Sequence, residues 1–145
     1  IGTDGLGRSP FRRRFEWALG RDLDRAALAT AARQIEGTHD FGALSVRRSV
    51  RPHTRCAIRE ACWRERPDGT GVAFEVRADR FLHHMVRMLV GTMVDIGLER
   101  RPLTDLKRLL EKDPAVRTSP PAPAEGLYFV MAEYPDEWFN FTASS

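Results

Sequence analysis

The stretch "RFLHHMVRMLVGTMVDIG", residues 80–97, constrains this chain more than any other. Read as a helix over 82–97, it places Leu82, Met85, Val86, Leu89, Met93 and Ile96 at i, i+3, i+4 spacing. A stripe that wide has to be buried against a second layer, so the spacing predicts a helix packed on a sheet. His83, Arg87, Val90, Gly91 and Val94 fall on the neighbouring face. A mid-helix glycine costs about 1 kcal/mol relative to alanine. Gly91 sits one turn after Arg87, on the same side, and leaves room for a backbone or a ligand to come close. Gly126 is a second expected close-approach position.

Three accounts of that face compete. Adjacent histidines point about 100° apart on a helix. With no third ligand nearby, His83 and His84 are not expected to hold a metal. Arg87 can be structural, carrying its charge to the surface or pairing with a core acid. It can also be functional: a guanidinium on a rigid helix beside a glycine gap suits an anionic catalytic group or a phosphate. Spacing alone favours the structural account.

The rest of the chain supplies the layer this helix needs. "FRRRFEWAL" alternates Phe15, Trp17 and Leu19 and predicts a strand. "DRAALATAARQIEG" sets Leu28, Ala31, Ala32 and Ile35 at helical spacing, with Asp24 as cap and Gly37 at the end. "GTHDFGALSVRRSVRPHT" reads as an irregular basic connection. "TRCAIREACWRER" and "GVAFEVRAD" read as strands joined by the turn "PDGT". In the second of these, Val72, Phe74 and Val76 face one side and Ala73, Glu75 and Arg77 the other, as in a sheet with one buried face. "LTDLKRLLEKDP" predicts a short helix with Thr104 as N-cap. After the extended "TSPPAPAEG", "LYFVMAEY" is apolar on both faces and predicts a central strand. The order is that of an α+β, ferredoxin-like split βαβ unit: an antiparallel sheet with helices on one face and the other face free for a partner. One domain over 1–145 is expected, with 1–10 a loop and 136–145 a tail.

Of 23 basic residues only Lys107 and Lys112 are lysines. A GC-rich genome, which favours arginine codons, is one account of that bias. Placement adds another: Arg12, Arg13 and Arg14 are contiguous, and Arg47, Arg48, Arg51 and Arg55 share one stretch almost free of acids. Such clusters suit a polyanion. Cys56 and Cys62 have neither zinc spacing nor a disulfide framework, and read as buried free thiols of a reducing compartment. No run is long enough to span a membrane, and no export signal is seen at the start.

"FLHHMVRMLVGTMVDIG" resembles the signature of the tRNA pseudouridine synthase A family. "GTHDF" (37–41), "TRCAI" and "AEGLYFVMAEYP" (124–135) agree in the same order, so the likeness spans most of 10–135. The resemblance implies an isomerase that converts uridine to pseudouridine in the anticodon stem-loop of tRNA, without metal or organic cofactor. The target nucleotide would be flipped into a pocket, and an aspartate would act on the glycosidic bond. Arg87 occupies the place of the arginine that lies against that aspartate. It would keep the carboxylate ionised and aimed. The resemblance also implies a cytoplasmic homodimer bridged by tRNA. Arg12, Arg13, Arg14, Arg47, Arg48, Arg51 and Arg55 would contact phosphates, with His83 and His84 near the helix start.

The family's aspartate belongs to a motif G-R-T-D-x-G-V in an N-terminal half, and this chain has none. "GTDGLG" (2–7) lacks the arginine, so Asp4 reads as a turn residue. The family's stacking tyrosine has no counterpart either. Met88 and Asp79 stand where the family often has asparagine. The chain is therefore expected to be the C-terminal half, inactive alone. A stand-alone ferredoxin-like RNA-binding module without catalysis is the alternative.

Overall fold

A computed structural model describes residues 1–5, 10–46 and 53–133. Three helices, α1 (Arg25–Ile35), α2 (Met85–Gly97) and α3 (Thr104–Leu110), accompany three strands, β1 (Gly37–Asp40), β2 (Arg55–Glu65) and β3 (Val72–Ala78). The strands form one antiparallel sheet in the order β1-β2-β3. This is an α+β arrangement consistent with a ferredoxin-like half.

α1 and the β2–β3 hairpin fold as their patterns require. Asp24 caps α1 by accepting the Ala27 N–H at 2.9 Å, a contribution of about 1 kcal/mol. Leu28, Ala31, Ala32 and Ile35 are buried along one side of α1, which lies on β2. The β2–β3 turn is closed by Asp68, whose Oδ1 accepts from Thr70 N and Oγ1, with Gly69 at φ 68°. Val72, Phe74 and Val76 point into the core while Ala73, Glu75 and Arg77 are exposed. The outer face carries Arg64–Glu75 at 2.9 Å, with Glu60 reaching Arg64 and Arg77 at 3.9 Å.

Several expectations are corrected. "FRRRFEWAL" is a turn rather than a strand. Phe15 N–H donates to Arg12 O at 2.9 Å, and only Ala18 makes an isolated bridge, to Gly2. Phe11 and Phe15 are exposed. The start of the N-terminal segment is pinned to the rest of the chain: Gly2 bridges both Ala18 and Gly71. "GTHD", read as irregular, is β1, because the eleven-residue β2 offers it a free ladder edge. "LYFVMAEY" forms no ladder over its described residues 127–133. Phe129 and Val130 are 85% and 90% exposed, where a central strand would bury them. Thr104 is the first residue of α3, and no side chain caps that helix. Cys56 is buried but Cys62 is only half-buried.

α2 begins at Met85, later than its stripe suggests. His84, in the left-handed conformation at φ 60°, occupies the N-cap position. The two histidines therefore sit in the turn before the helix, their rings stacked at 4.0 Å rather than fanned around an axis. At the other end α2 closes in a Schellman turn: Glu99 N–H donates to Ile96 O at 3.0 Å and Arg100 N–H to Asp95 O at 2.9 Å. The left-handed position belongs to Glu99, at φ 57°. A side chain is strained there by about 1 kcal/mol or more, so Glu99→Gly is expected to stabilise the chain by up to about 1 kcal/mol. Urea unfolding checks this; an unchanged or lower midpoint refutes it.

A polar cluster ties the end of β1 to the end of α3. Asp40 Oδ1 accepts from Thr54 Oγ1 at 2.6 Å and Gly42 N at 2.9 Å, while Lys112 Nζ lies 2.6 Å from Oδ2. Burial pushes the Asp40 carboxyl up, but hydrogen bonds from Lys112, Thr54 and Gly42, with the charge of Lys112, outweigh it. The carboxyl ends below its ordinary value. A depressed carboxylate stabilises the fold above its unfolded pKa of about 4, and the gain is lost as pH falls through the lower folded value. Asp40→Asn should therefore cost about 1 kcal/mol at pH 7, discounted for the half-exposed ammonium. The gap to the parent should close on acidification below about pH 4. Urea midpoints at pH 7 and pH 3 measure it; a gap that persists in acid refutes the assignment.

Candidate functional site

Arg87 is half-buried in the first turn of α2. Its Nε donates to Ala122 O at 2.7 Å, and Ala122 N–H donates back to Arg87 O at 2.9 Å. The partner is thus backbone from a segment 35 residues downstream. No carboxylate among the described residues pairs with this guanidinium, so the core-acid account of the arginine has no support. With Nε spent on Ala122, the two Nη groups are the donors left for an incoming anion. A lysine has no equivalent of this division, because its donors share one nitrogen.

The space at Gly91 is filled by the chain itself. A Cβ built there would lie 2.1 Å from Pro120 O and 3.3 Å from Ala122 N. The neighbouring Thr92, fully buried, accepts the Ser119 N–H on Oγ1 at 3.4 Å. Residues 117–122 therefore run along α2 as a strap, from Thr92 back to Arg87. Past the strap, Gly126 comes close to the turn at 16–17, where a Cβ would sit 3.2 Å from Trp17 N. Tyr128 OH donates to Phe15 O at 2.7 Å on the same side. From there Leu127, Tyr128, Phe129, Val130 and Met131 form an exposed apolar row. Two shallow depressions in the surface lie elsewhere, both lined by Asp24 and Glu99, near the opposite end of α2. Neither of these depressions is lined by Arg87.

The basic candidates separate. Arg12 is engaged internally: its Nη1 donates to both oxygens of Asp4, at 3.1 and 3.0 Å, and its Nη2 lies 2.8 Å from Glu16 Oε1 as an ion pair. The hydrogen bond to Asp4 is the main reason its pKa is raised. Glu16, nearly buried, also meets Arg66. Asp4 is thus part of a surface ion-pair group beside a turn. Arg13, Arg14 and Arg55 are exposed. Arg47, Arg48 and Arg51 lie outside the described residues. His83 offers its carbonyl to Val46 N–H at 3.0 Å, and no group of three metal-ligating side chains occurs among the described residues. Asp79, singled out as an acid where the family often has asparagine, has a backbone task. Its Oδ1 accepts from Ala57 N and Arg80 N, both at 2.8 Å, prolonging the β2–β3 pairing by one step.

Sequence reasoning did not find the strap. Its parts are a glycine, a threonine and an arginine one face apart on α2, opposite a proline-rich segment. Only the glycine hinted at a close neighbour.

Comparison with known proteins places these residues in a family. Residues 31–135 match the profile described as tRNA pseudouridine synthase. The "tRNA pseudouridine synthase A" of Moorella thermoacetica is 36% identical over 124 residues, which are 86% of this chain and 50% of that protein. That of Myxococcus xanthus is 36% identical over 129 residues, 89% and 48% of the two chains. That of Frankia casuarinae is 40% identical over 134 residues, 90% and 47%. The chain spans about half the length of the curated relatives it matches.

Proposed function

The chain belongs to the tRNA pseudouridine synthase family, and from that premise we propose that it is the C-terminal half of an enzyme isomerising uridine to pseudouridine in the anticodon stem-loop of tRNA. The observation that carries the proposal is Arg87, anchored by Nε to backbone and met by no carboxylate of the described residues. A guanidinium fixed in this way is ready for an anion from another polypeptide segment. In the full-length enzyme that anion is the catalytic aspartate, supplied by the N-terminal half. The fork of Nη groups holds it ionised and oriented while the flipped uridine is detached, turned and rejoined through carbon. Arg87 does not move a proton; it fixes the group that attacks.

The exposed row Leu127–Met131 supports the same reading, because it is an apolar edge that follows the strap reaching Arg87. The catalytic half covers this edge and closes a cleft over the guanidinium. The tRNA is held mainly through phosphates, for which Arg13, Arg14 and Arg55 are the exposed candidates. Arg12 contributes mainly to the fold, given its pairing with Asp4 and Glu16. Assembly as a homodimer in the cytoplasm is part of this proposal; no described helix is long and apolar enough to cross a membrane.

Arg87→Ala in the full-length enzyme is expected to lower the rate of pseudouridine formation on a tRNA transcript roughly 10²-fold or more. Arg87→Lys keeps the charge without the fork and should fall between. Parental turnover by both variants would remove Arg87 from the mechanism.

A further inference from the structure

We infer that Arg101 is a positioning residue for Arg87: it anchors the far end of the strap whose near end fixes the Arg87 guanidinium. This inference rests on the reading of Arg87 as the group that meets the catalytic carboxylate.

Arg101 lies between α2 and α3, and its side chain is only 13% exposed. Asp105, in the first turn of α3, receives hydrogen bonds from Arg101 Nε at 3.2 Å and Nη2 at 3.0 Å and sets the plane of the guanidinium. The remaining donors reach the start of the strap: Nη2 donates to Arg117 O at 2.8 Å and Nη1 to Ser119 Oγ at 3.0 Å. From Ser119 the chain passes Thr92 and presses Pro120 O against Gly91. It ends on the two reciprocal bonds between Ala122 and Arg87.

The path between the two arginines is short and stiff. Pro120 and Pro121 each fix φ and donate no N–H, so a displacement at Ser119 is passed along rather than absorbed. Ala122 O is the only acceptor of the Arg87 side chain among the described residues. Where that oxygen sits decides where Nε sits, and the Nη fork turns with it. Arginine suits the anchor because three acceptors lie around one plane; a lysine cannot span Asp105, Ser119 Oγ and Arg117 O together.

The test has two arms. In the 145-residue chain, hydrogen exchange of the Ala122 amide reports the strap directly. Arg101→Ala, and Arg101→Lys where the alanine variant folds poorly, should reduce its protection about tenfold or more. Amides deep in α1 should change less. Unchanged Ala122 protection overturns the inference whatever the activity. In the full-length enzyme, Arg101→Ala should lower kcat about tenfold with KM for tRNA nearly unchanged. In an Arg87→Ala background it should cost nothing more. Losses that multiply in the double variant, or that fall on KM, overturn the positioning role. An Arg87→Ala enzyme with parental kcat overturns the reading of Arg87 itself, which the exchange arm leaves distinguishable from failure of the strap.

Discussion

Gly91→Ala is expected to be among the most damaging single-methyl additions in this chain, costing roughly 2–3 kcal/mol. In isolation the change should help, because alanine improves a helix interior by about 1 kcal/mol. The new Cβ would stand 2.1 Å from Pro120 O, a distance at which something must move. The obstacle is backbone, between Ser119 held by Thr92 and Ala122 held by Arg87, so no flexible side chain can swing away. The strap has to lift, and the lift breaks the paired bonds at Ala122. Urea unfolding of the 145-residue chain measures the loss, and Ala122 amide exchange should accelerate with it. A variant as stable as the parent, or more so, would show that helix propensity wins and that the strap is not tightly seated.

The second large effect concerns the chain alone. The 145 residues are expected to form no detectable pseudouridine on a tRNA transcript, because on the reading proposed for Arg87 the carboxylate it meets belongs to the other half of the enzyme. Asp4, the residue nearest in pattern, is paired with Arg12 beside the turn at 10–16 and belongs to a different cluster from Arg87. A longer polypeptide with a G-R-T-D-x-G-V segment in frame upstream should be active, and replacing that segment's aspartate should silence it. Robust turnover by the 145-residue chain would overturn the proposal that the catalytic half lies elsewhere.

What could be read from the amino acids was local. α1, the β2–β3 hairpin and the C-terminal end of α2 each carry their own signal: a capping aspartate, an Asp-Gly turn, a stripe of fixed period. β1 carries none. "GTHD" has one β-branched residue, and it is a strand because β2 is long enough to offer it an edge. The two strands wrongly expected fail for the same reason in reverse. "FRRRFEWAL" alternates, but Arg12 turns inward to Asp4 and Glu16 and coils the segment. "LYFVM" has the composition of a buried strand, and a strand needs a neighbour that the described chain does not give it. The start of α2 was misplaced because no sequence signal announces a left-handed histidine.

The candidate site was legible to a different depth. That Arg87 needed an explanation was visible from one cation in an apolar helix. That it answers to a carbonyl on a strap 35 residues away was not, because backbone acceptors leave no mark in the sequence. Gly91 was recognisable as a gap but not for what fills it. Arg101 looked like one more arginine in an arginine-rich chain; only the convergence of Asp105, Ser119 and Arg117 upon it sets it apart.

The row from Leu127 to Met131 has a practical consequence at the bench. Five consecutive exposed side chains, four of them wholly apolar, are expected to make a solution of this chain colloidally fragile. Scattering should climb steeply with concentration, and mild detergent should hold it down. Purification yield would then be governed by stickiness at one edge rather than by how firmly the interior is packed.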